Sequence, residues 1–257
     1  MTLRLALWQG AGTSGDLAAT LAETDRVARI AAEAGAGLLV FPEGFLTGYH
    51  IPGLAPGGLP GVEEALHQVA GSAANARLAL VMGTHLDTSE GLRNAAIVFS
   101  DTGAELGRYA KRALFGDWEK ATFRPGHAAL RFARGGFSVG VAICYDVEFP
   151  EIIRAEARAG VDLMVVPTAL MAPYARIARQ VVPVRALENQ IFLGYANRSG
   201  HEPGMDFVGL SSIRGPRGEA LAEAGDGPEL LLADLDRARI AGERGESSYL
   251  DDLARLR

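Results

Sequence analysis

A chain of 257 residues with 48% hydrophobic and 22% charged side chains has the makeup of a globular protein with a substantial core. A formal net charge of -6, with no block of either sign, excludes a nucleic-acid footprint and a charged tail. No apolar run reaches bilayer length, the five histidines are too scattered for a metal site, and one cysteine permits no internal disulfide. The expectation is a cytoplasmic protein with no signal peptide, membrane partner or metal.

The predicted elements alternate between strand and helix from end to end. "LRLALWQ" reads as an apolar strand, Asp16 to about Ala34 as an amphipathic helix, and "GLLVF" as a short buried strand. A second helix is expected from about Val62 to Arg77, followed by the strand "LALVMGTH". "LRNAAIVFS" and "LGRYAK", joined by "DTGAE", read as a hairpin. After a long loop come the strand "FSVGVAIC", a helix from about Pro150 to Ala159, and the strand "DLMVVP". A helix is expected over much of Tyr174 to Asn189 despite Pro183, then "IFLGYAN", "FVGLSSIRG" and "PELLLADLD" as strands. With no Pro/Ser-rich linker, residues 1–257 read as one mixed α/β domain.

Two further patterns stand out. "AGAGLLVFPEGFLTG" from Ala34 and "AGVDLMVVPTALMAP" from Ala159 share a register; a rough two-fold relation between the halves would put Glu43 and Thr168 in matching places at strand tips, and the equal reading is that any two βα units look alike. Ligands bind at such carboxyl ends in an α/β sheet. Of the 25 basic side chains only Lys111 and Lys120 are lysine. A site that needs a compact ammonium on a flexible stem is not served by arginine.

Cys144, the only cysteine, ends an apolar run, and on its own it reads more readily as a buried inert thiol than as a nucleophile. Glu43 follows "LLVFP", where low dielectric raises a carboxyl pKa and suits it to proton transfer. Lys111 closes "RYAK". A base, a cation and a thiol are thus all expected at the carboxyl ends of strands, and a thiol without a suitable histidine needs such partners.

The order and surroundings of "FPEGFLTGY", "YAKRALFGDWEKATFRPG" and "GVAICYDVEFPE" resemble the Glu-Lys-Cys carbon–nitrogen hydrolases, the nitrilase superfamily. The resemblance continues through "PTALMAPY", "VRALENQIFLGYANRSG" and "FVGLSSIRGPRGE" and so covers essentially the whole chain. It implies an α-β-β-α sandwich assembled as a homodimer or larger homo-oligomer. It also implies Cys144 as nucleophile, Glu43 as general base, and Lys111 facing the tetrahedral intermediate with the Tyr145 N–H. Glu119 matches the family's second glutamate, which positions the substrate and the attacking groups. The implied reaction is amide hydrolysis through a thioester, with a small-molecule amide as partner and no cofactor.

Within the family, Tyr145-Asp146 after the cysteine resembles amidase branches rather than true nitrilases. "FLTGY", "LFG", "CYDVEFPE", "ENQ" and "YAN" are similar to 5-aminopentanamidase and the related R-stereoselective amidases, which act on small aliphatic amides. Glu148 stands where dicarboxylate-type amidases carry arginine, which suits a neutral or cationic substrate unless Glu148 pairs with a neighbour such as Arg154. Tyr49, Trp118, Tyr145 and Ala169 are the expected pocket walls, with plain core packing an equal reading for Tyr49 and Trp118. His50, Leu170 and Arg198, with Trp118, are where the chain departs from that branch, and they are expected to shape the pocket.

Overall fold

Leu3, Leu5 and Leu7 point one way from the first strand and Ala6 and Trp8 the other, and both faces are packed. A strand covered on both sides belongs to a layered α/β architecture. The computed structural model describes residues 1–202 and 204–256. The first half runs β1 (Thr2–Gln9), α1 (Leu17–Glu33), β2 (Leu38–Val40), α2 (Val62–Ala76), β3 (Ala79–Thr88), β4 (Gly91–Phe99), β5 (Glu105–Ala110) and α3 (Gly116–Thr122). The second begins with β6 (Arg131–Arg134), β7 (Phe137–Val141), a 3-10 turn (Cys144–Glu148), α4 (Pro150–Arg158), β8 (Leu163–Thr168) and α5 (Val182–Asn189). It continues through β9 (Phe192–Asn197), β10 (Ser199–Glu202), β11 (Met205–Val208), β12 (Ser212–Arg214) and β13 (Ala220–Glu223). It closes with β14 (Glu229–Asp236), α6 (Ala238–Glu246) and α7 (Tyr249–Arg255).

Two six-stranded sheets carry the fold, in the orders β14-β1-β2-β3-β4-β5 and β13-β12-β9-β8-β7-β6. Leu5, Val40 and Val81 of the first face Val139, Val165 and Phe192 of the second, forming the core between the sheets. The outer face of the first sheet is covered by α1 and α2, which present Val27, Ala31, Leu66 and Val69 at helical spacing. The outer face of the second packs Met164 and Val166 against Ile153 of α4 and Ala186 of α5. The result is the α-β-β-α sandwich expected of the family. The echo between the halves has a counterpart in the sheets. β2 and β8 are each the middle of three parallel strands, β1-β2-β3 and β7-β8-β9.

Local chemistry sets the element ends. Asp16 caps α1 by accepting the Ala19 N–H at 2.9 Å. Pro183 stands in the first turn of α5, where the π turn at Ile177–Val181 joins it and the missing N–H is tolerated. The helix expected over much of Tyr174 to Asn189 is present: after a 3-10 turn at Ala172–Tyr174, a π turn at Ile177–Val181 runs without a gap into α5. "FVGLSSIRG" is not one strand: Leu210 sits at φ 57 between β11 and β12. The strand "FSVGVAIC" stops at Val141, so Cys144 begins a turn instead of ending a strand. The short elements α3, β6, β10, β13, α6 and α7 have no counterpart in the expected pattern.

Candidate active site

The site lies where the tips of β2, β5 and β7 meet. Glu43 follows β2 in a turn laid directly on β3, where a Cβ on Gly83 would sit 2.0 Å from the Pro42 carbonyl oxygen. Only glycine permits that approach. The turn is held there by the Leu46 N–H on the Gly83 carbonyl at 3.1 Å. Lys111 extends the β5 ladder by one step, its N–H on the Asn94 carbonyl at 2.8 Å. Cys144 follows β7 after two residues and takes φ 44, a left-handed conformation that costs a non-glycine residue about 1–3 kcal/mol. Such strain persists only where the surroundings enforce it.

Asp146 supplies the enforcement. Its Oδ2 accepts the Ile143 N–H at 2.9 Å and the Tyr109 hydroxyl at 2.8 Å, while Oδ1 accepts the N–H groups of Arg112 at 3.1 Å and Ala113 at 2.7 Å. One buried carboxylate therefore ties the cysteine turn to the residues immediately after Lys111.

The side chains of Glu43, Lys111 and Glu119 are buried and in direct contact. Lys111 Nζ donates to Glu43 Oε1 at 2.8 Å and to Glu119 Oε1 at 2.7 Å. The two glutamates are otherwise unlike. Glu119 also accepts the Tyr49 hydroxyl at 2.8 Å and the Phe115 N–H at 2.6 Å, so both its oxygens are engaged. Glu43 Oε1 is shared between Lys111 and Asn94 Nδ2, the latter at 2.7 Å, while Oε2 has no partner among the described residues. Glu43 alone has an oxygen available to take a proton.

The electrostatics follow from burial. Desolvation pushes the Glu43 carboxyl above its ordinary range against the pull of Lys111, and Glu119 adds to the rise. Burial would lower Lys111, but Glu43 and Glu119 outweigh it and hold the ammonium well above its usual range. Burial, then the charge of Glu43, drives the Cys144 thiol well up, opposed by Lys111 and by the Ala169 N–H hydrogen-bonded to it. The resting group is thus a protonated thiol beside an ammonium and a carboxylate of heightened basicity.

The sequence-expected pocket residues divide into two groups. Tyr49, Trp118 and Ala169 share one cluster with Phe207, with Tyr49 and Trp118 centroids 5.7 Å apart. Tyr49 both packs there and holds Glu119. The Tyr145 ring joins another group, 5.3 Å from Phe115 and 4.9 Å from Phe149, and half-buried Glu148 follows it in the same turn. Arg154 does not pair with Glu148; it binds the Glu188 carbonyl at 2.5 Å. Two expectations are corrected. Leu170 packs on the helix side of the second sheet, and Arg198 lies behind the Glu43 loop as a fully buried cation rather than in a pocket wall. Lys120 is exposed, unlike Lys111. A groove of about 390 Å³ beside Leu17, His50, Ile51 and Leu59 is lined by none of Glu43, Lys111, Glu119 and Cys144.

Asn94 has no place in the sequence reading, and Asp146 enters it only within the Tyr145-Asp146 pair that marks amidase branches. A lone asparagine inside the apolar run "LRNAAIVFS" was the available signal for the first, and an aspartate two residues past the cysteine for the second.

The carbon-nitrogen hydrolase family model matches residues 4–244. The chain belongs to that family. Among curated relatives of this carbon-nitrogen hydrolase, the "Hydrolase in pqqF 5'region" of Pseudomonas protegens is 37% identical over 98% of the chain and 89% of its own length. An "(R)-stereoselective amidase" of Pseudomonas sp is 34% identical over 97% of the chain and 91% of its own length. Among solved structures, an amidase of Nesterenkonia sp. AN1 aligns with a TM-score of 0.86 and 36% identity over 97% of this chain and 96% of that one. A mutant of that amidase is described with the acetamide moiety of fluoroacetamide added covalently at its active-site cysteine. The resemblance to the nitrilase superfamily and its amidase branch read from the motifs agrees with these findings.

Proposed function

We propose that residues 1–257 form one catalytic domain of a cysteine-dependent amidase that converts small aliphatic amides, amino-substituted ones included, to carboxylic acid and ammonia. The observation that carries this reading is the asymmetry of Glu43, one oxygen held by Lys111 and the other without a partner among the described residues. The amidases similar to this chain support it.

In this mechanism Glu43 Oε2 takes the Cys144 proton as the sulfur attacks the amide carbonyl carbon and a C–S bond forms. Negative charge develops on the carbonyl oxygen, facing Lys111 Nζ and the Tyr145 N–H. That N–H is in the first turn of a 3-10 segment, where amides lack an intrahelical partner. The C–N bond breaks, the nitrogen takes the proton from Glu43, and ammonia leaves a thioester. Glu43 then accepts a proton from water as its oxygen attacks the thioester. Collapse expels the thiolate, which recovers the proton, and the acid is released. Glu119, fully hydrogen-bonded, positions Lys111 and the substrate and transfers no proton.

We also read the enzyme as a cytoplasmic homodimer or larger homo-oligomer. Phe149 and Val184, large apolar side chains 37% and 45% exposed near α4 and α5, support an assembly surface there. The activity is tested by ammonia release from short amides, ω-amino amides, nitriles and carbamoyl amino acids. Short amides should be turned over by the wild type and not by a folded Cys144→Ala variant. Ammonia release from that variant near the wild-type rate would remove the cysteine from the mechanism.

A further inference from the structure

Behind the Glu43 turn lies a second buried ion pair that the mechanism does not use. Arg198 leaves the end of β9, and its guanidinium has no exposed surface. Nη1 donates to two backbone carbonyls, those of Glu43 at 3.3 Å and Gly44 at 3.0 Å. Nη2 donates to Glu202 Oε1. The cation also lies over the Phe207 ring, 5.3 Å from its centroid, beneath the cluster that holds Tyr49.

Glu202 reaches the other end of the same loop. Its oxygens accept the Tyr49 N–H at 3.2 Å, the His50 N–H at 3.0 Å and the Ser14 hydroxyl at 2.6 Å. The loop is folded tightly on itself: a Cβ on Gly44, at φ 59, would sit 2.9 Å from the Gly48 carbonyl oxygen. The pair therefore grips the loop at both ends. One end carries Glu43, and the other carries Tyr49, whose hydroxyl holds Glu119.

A fully buried ion pair is weak evidence of stabilisation, because desolvation offsets much of the attraction, so its retention calls for another reason. We propose that Arg198 and Glu202 are positioning residues that set the Glu43 carboxylate against Lys111 and Cys144 by clamping the Glu43–His50 loop. Only a planar fork serves here: one guanidinium face spans two successive carbonyls and a carboxylate, which an ammonium on a flexible stem does not reproduce. The pair touches no reacting atom and acts through Glu43 and Tyr49.

This inference rests on the reading of Glu43 as general base, and the experiment separates the two. Arg198→Lys, Glu202→Gln and Glu43→Gln are compared with wild type for kcat, KM, thermal midpoint and the rate of Cys144 alkylation by iodoacetamide. For the two clamp variants kcat and alkylation should fall together by about tenfold or more, with KM within about threefold. Glu202→Gln keeps the side-chain shape and carries the test should Arg198→Lys not fold. The proposal is overturned if both clamp variants lose thermal stability while kcat of the folded protein and alkylation stay within about twofold of wild type. Unchanged alkylation in Glu43→Gln would instead remove the base assignment itself, and the clamp with it.

Discussion

Lys111 and Glu43 form an ion pair, Nζ to Oε1 2.8 Å, with neither side chain exposed to solvent. A second carboxylate, Glu119, lies 2.7 Å from the same ammonium, so two potential negative charges share one cation. Burial, with Glu119 beside it, raises the basicity of Glu43 against the pull of Lys111, while the two carboxylates together hold Lys111 protonated.

The shape of that cation decides the first test. Lys111 Nζ contacts two carboxylates from a stem packed between them, and a guanidinium is planar and larger. Lys111→Arg preserves charge but displaces Glu43, Glu119 or both, and kcat should fall by roughly 10²–10³. Steady-state ammonia release on a variant with a native circular dichroism spectrum checks this. A rate near wild type would make the lysine structural.

Asp146 is the tether between the cysteine turn and the Lys111 segment. Asp146→Ala leaves the N–H groups of Ile143, Arg112 and Ala113 and the Tyr109 hydroxyl without their acceptor. Stability should drop by about 3–5 kcal/mol in urea unfolding. Asp146→Asn retains the shape but places a donor among donors, and it should lose kcat even where the protein folds. Full kcat in Asp146→Asn would mean that the left-handed Cys144 is held by other contacts.

The pH profile follows from burial. As the proposed base Glu43 works only when ionised, and its pKa lies above the ordinary 4.5. The acid limb of kcat/KM should therefore fall away at a higher pH than an ordinary glutamate would set. Cys144 and Lys111 are pushed well above 9.0 and 10.5, so no basic limb should appear below the ordinary thiol range. Stability has the opposite sign at Glu202. Burial raises that carboxyl, but Arg198 and the N–H groups of His50 and Tyr49 bring it net below 4.5. Its stabilisation is complete above pH 4.5 and is lost as pH falls through the lower folded value. Unfolding midpoints measured against pH should show this loss in wild type and not in Glu202→Gln.

Much of this site was legible in the sequence because its groups follow strands whose apolar patterns are plain. β1, β3 and β14 read directly from alternation or from continuous apolar runs. Ala142 and Ile143 misled, since they prolong the apolar pattern of β7 although the chain has already turned. The turn is imposed by Asp146 through contacts to residues more than thirty positions away, which no local pattern reports. Arg198 and Glu202, four apart in a polar stretch, look like a surface pair. Only the antiparallel return of β10 and β11 and the meeting of the two sheets bring them behind Glu43, 155 residues distant in sequence. β6 and β13 stayed hidden because both are short strands at the edges of their sheet, with little apolar pattern to read.

Glu148 sets the last test, which concerns substrate charge. It follows Cys144 by four residues, and burial raises its pKa while Arg176, then Lys111, pull it down. Arg185, the third cation acting on it, spends its hydrogen bonds elsewhere. It binds the carbonyls of Val147 at 2.9 Å and Glu148 at 2.8 Å and the Glu188 carboxylate at 2.9 Å. Among the described residues no salt bridge engages the Glu148 carboxylate. A half-buried carboxylate with cations nearby but no salt bridge among the described residues attracts an ammonium and repels a second carboxylate, and it does so more strongly once substrate excludes water. Amides bearing an ammonium or no charge should therefore be cleaved faster than those bearing a carboxylate, by about 1–3 kcal/mol or roughly tenfold to a hundredfold. The measurement is kcat/KM for 5-aminopentanamide, pentanamide and a succinamate-type amide at neutral pH, in wild type and Glu148→Gln. The variant should lose the preference while keeping pentanamide turnover. A faster carboxylate-bearing substrate would remove Glu148 from the charge selection and place the enzyme with amidases of dicarboxylate-derived amides.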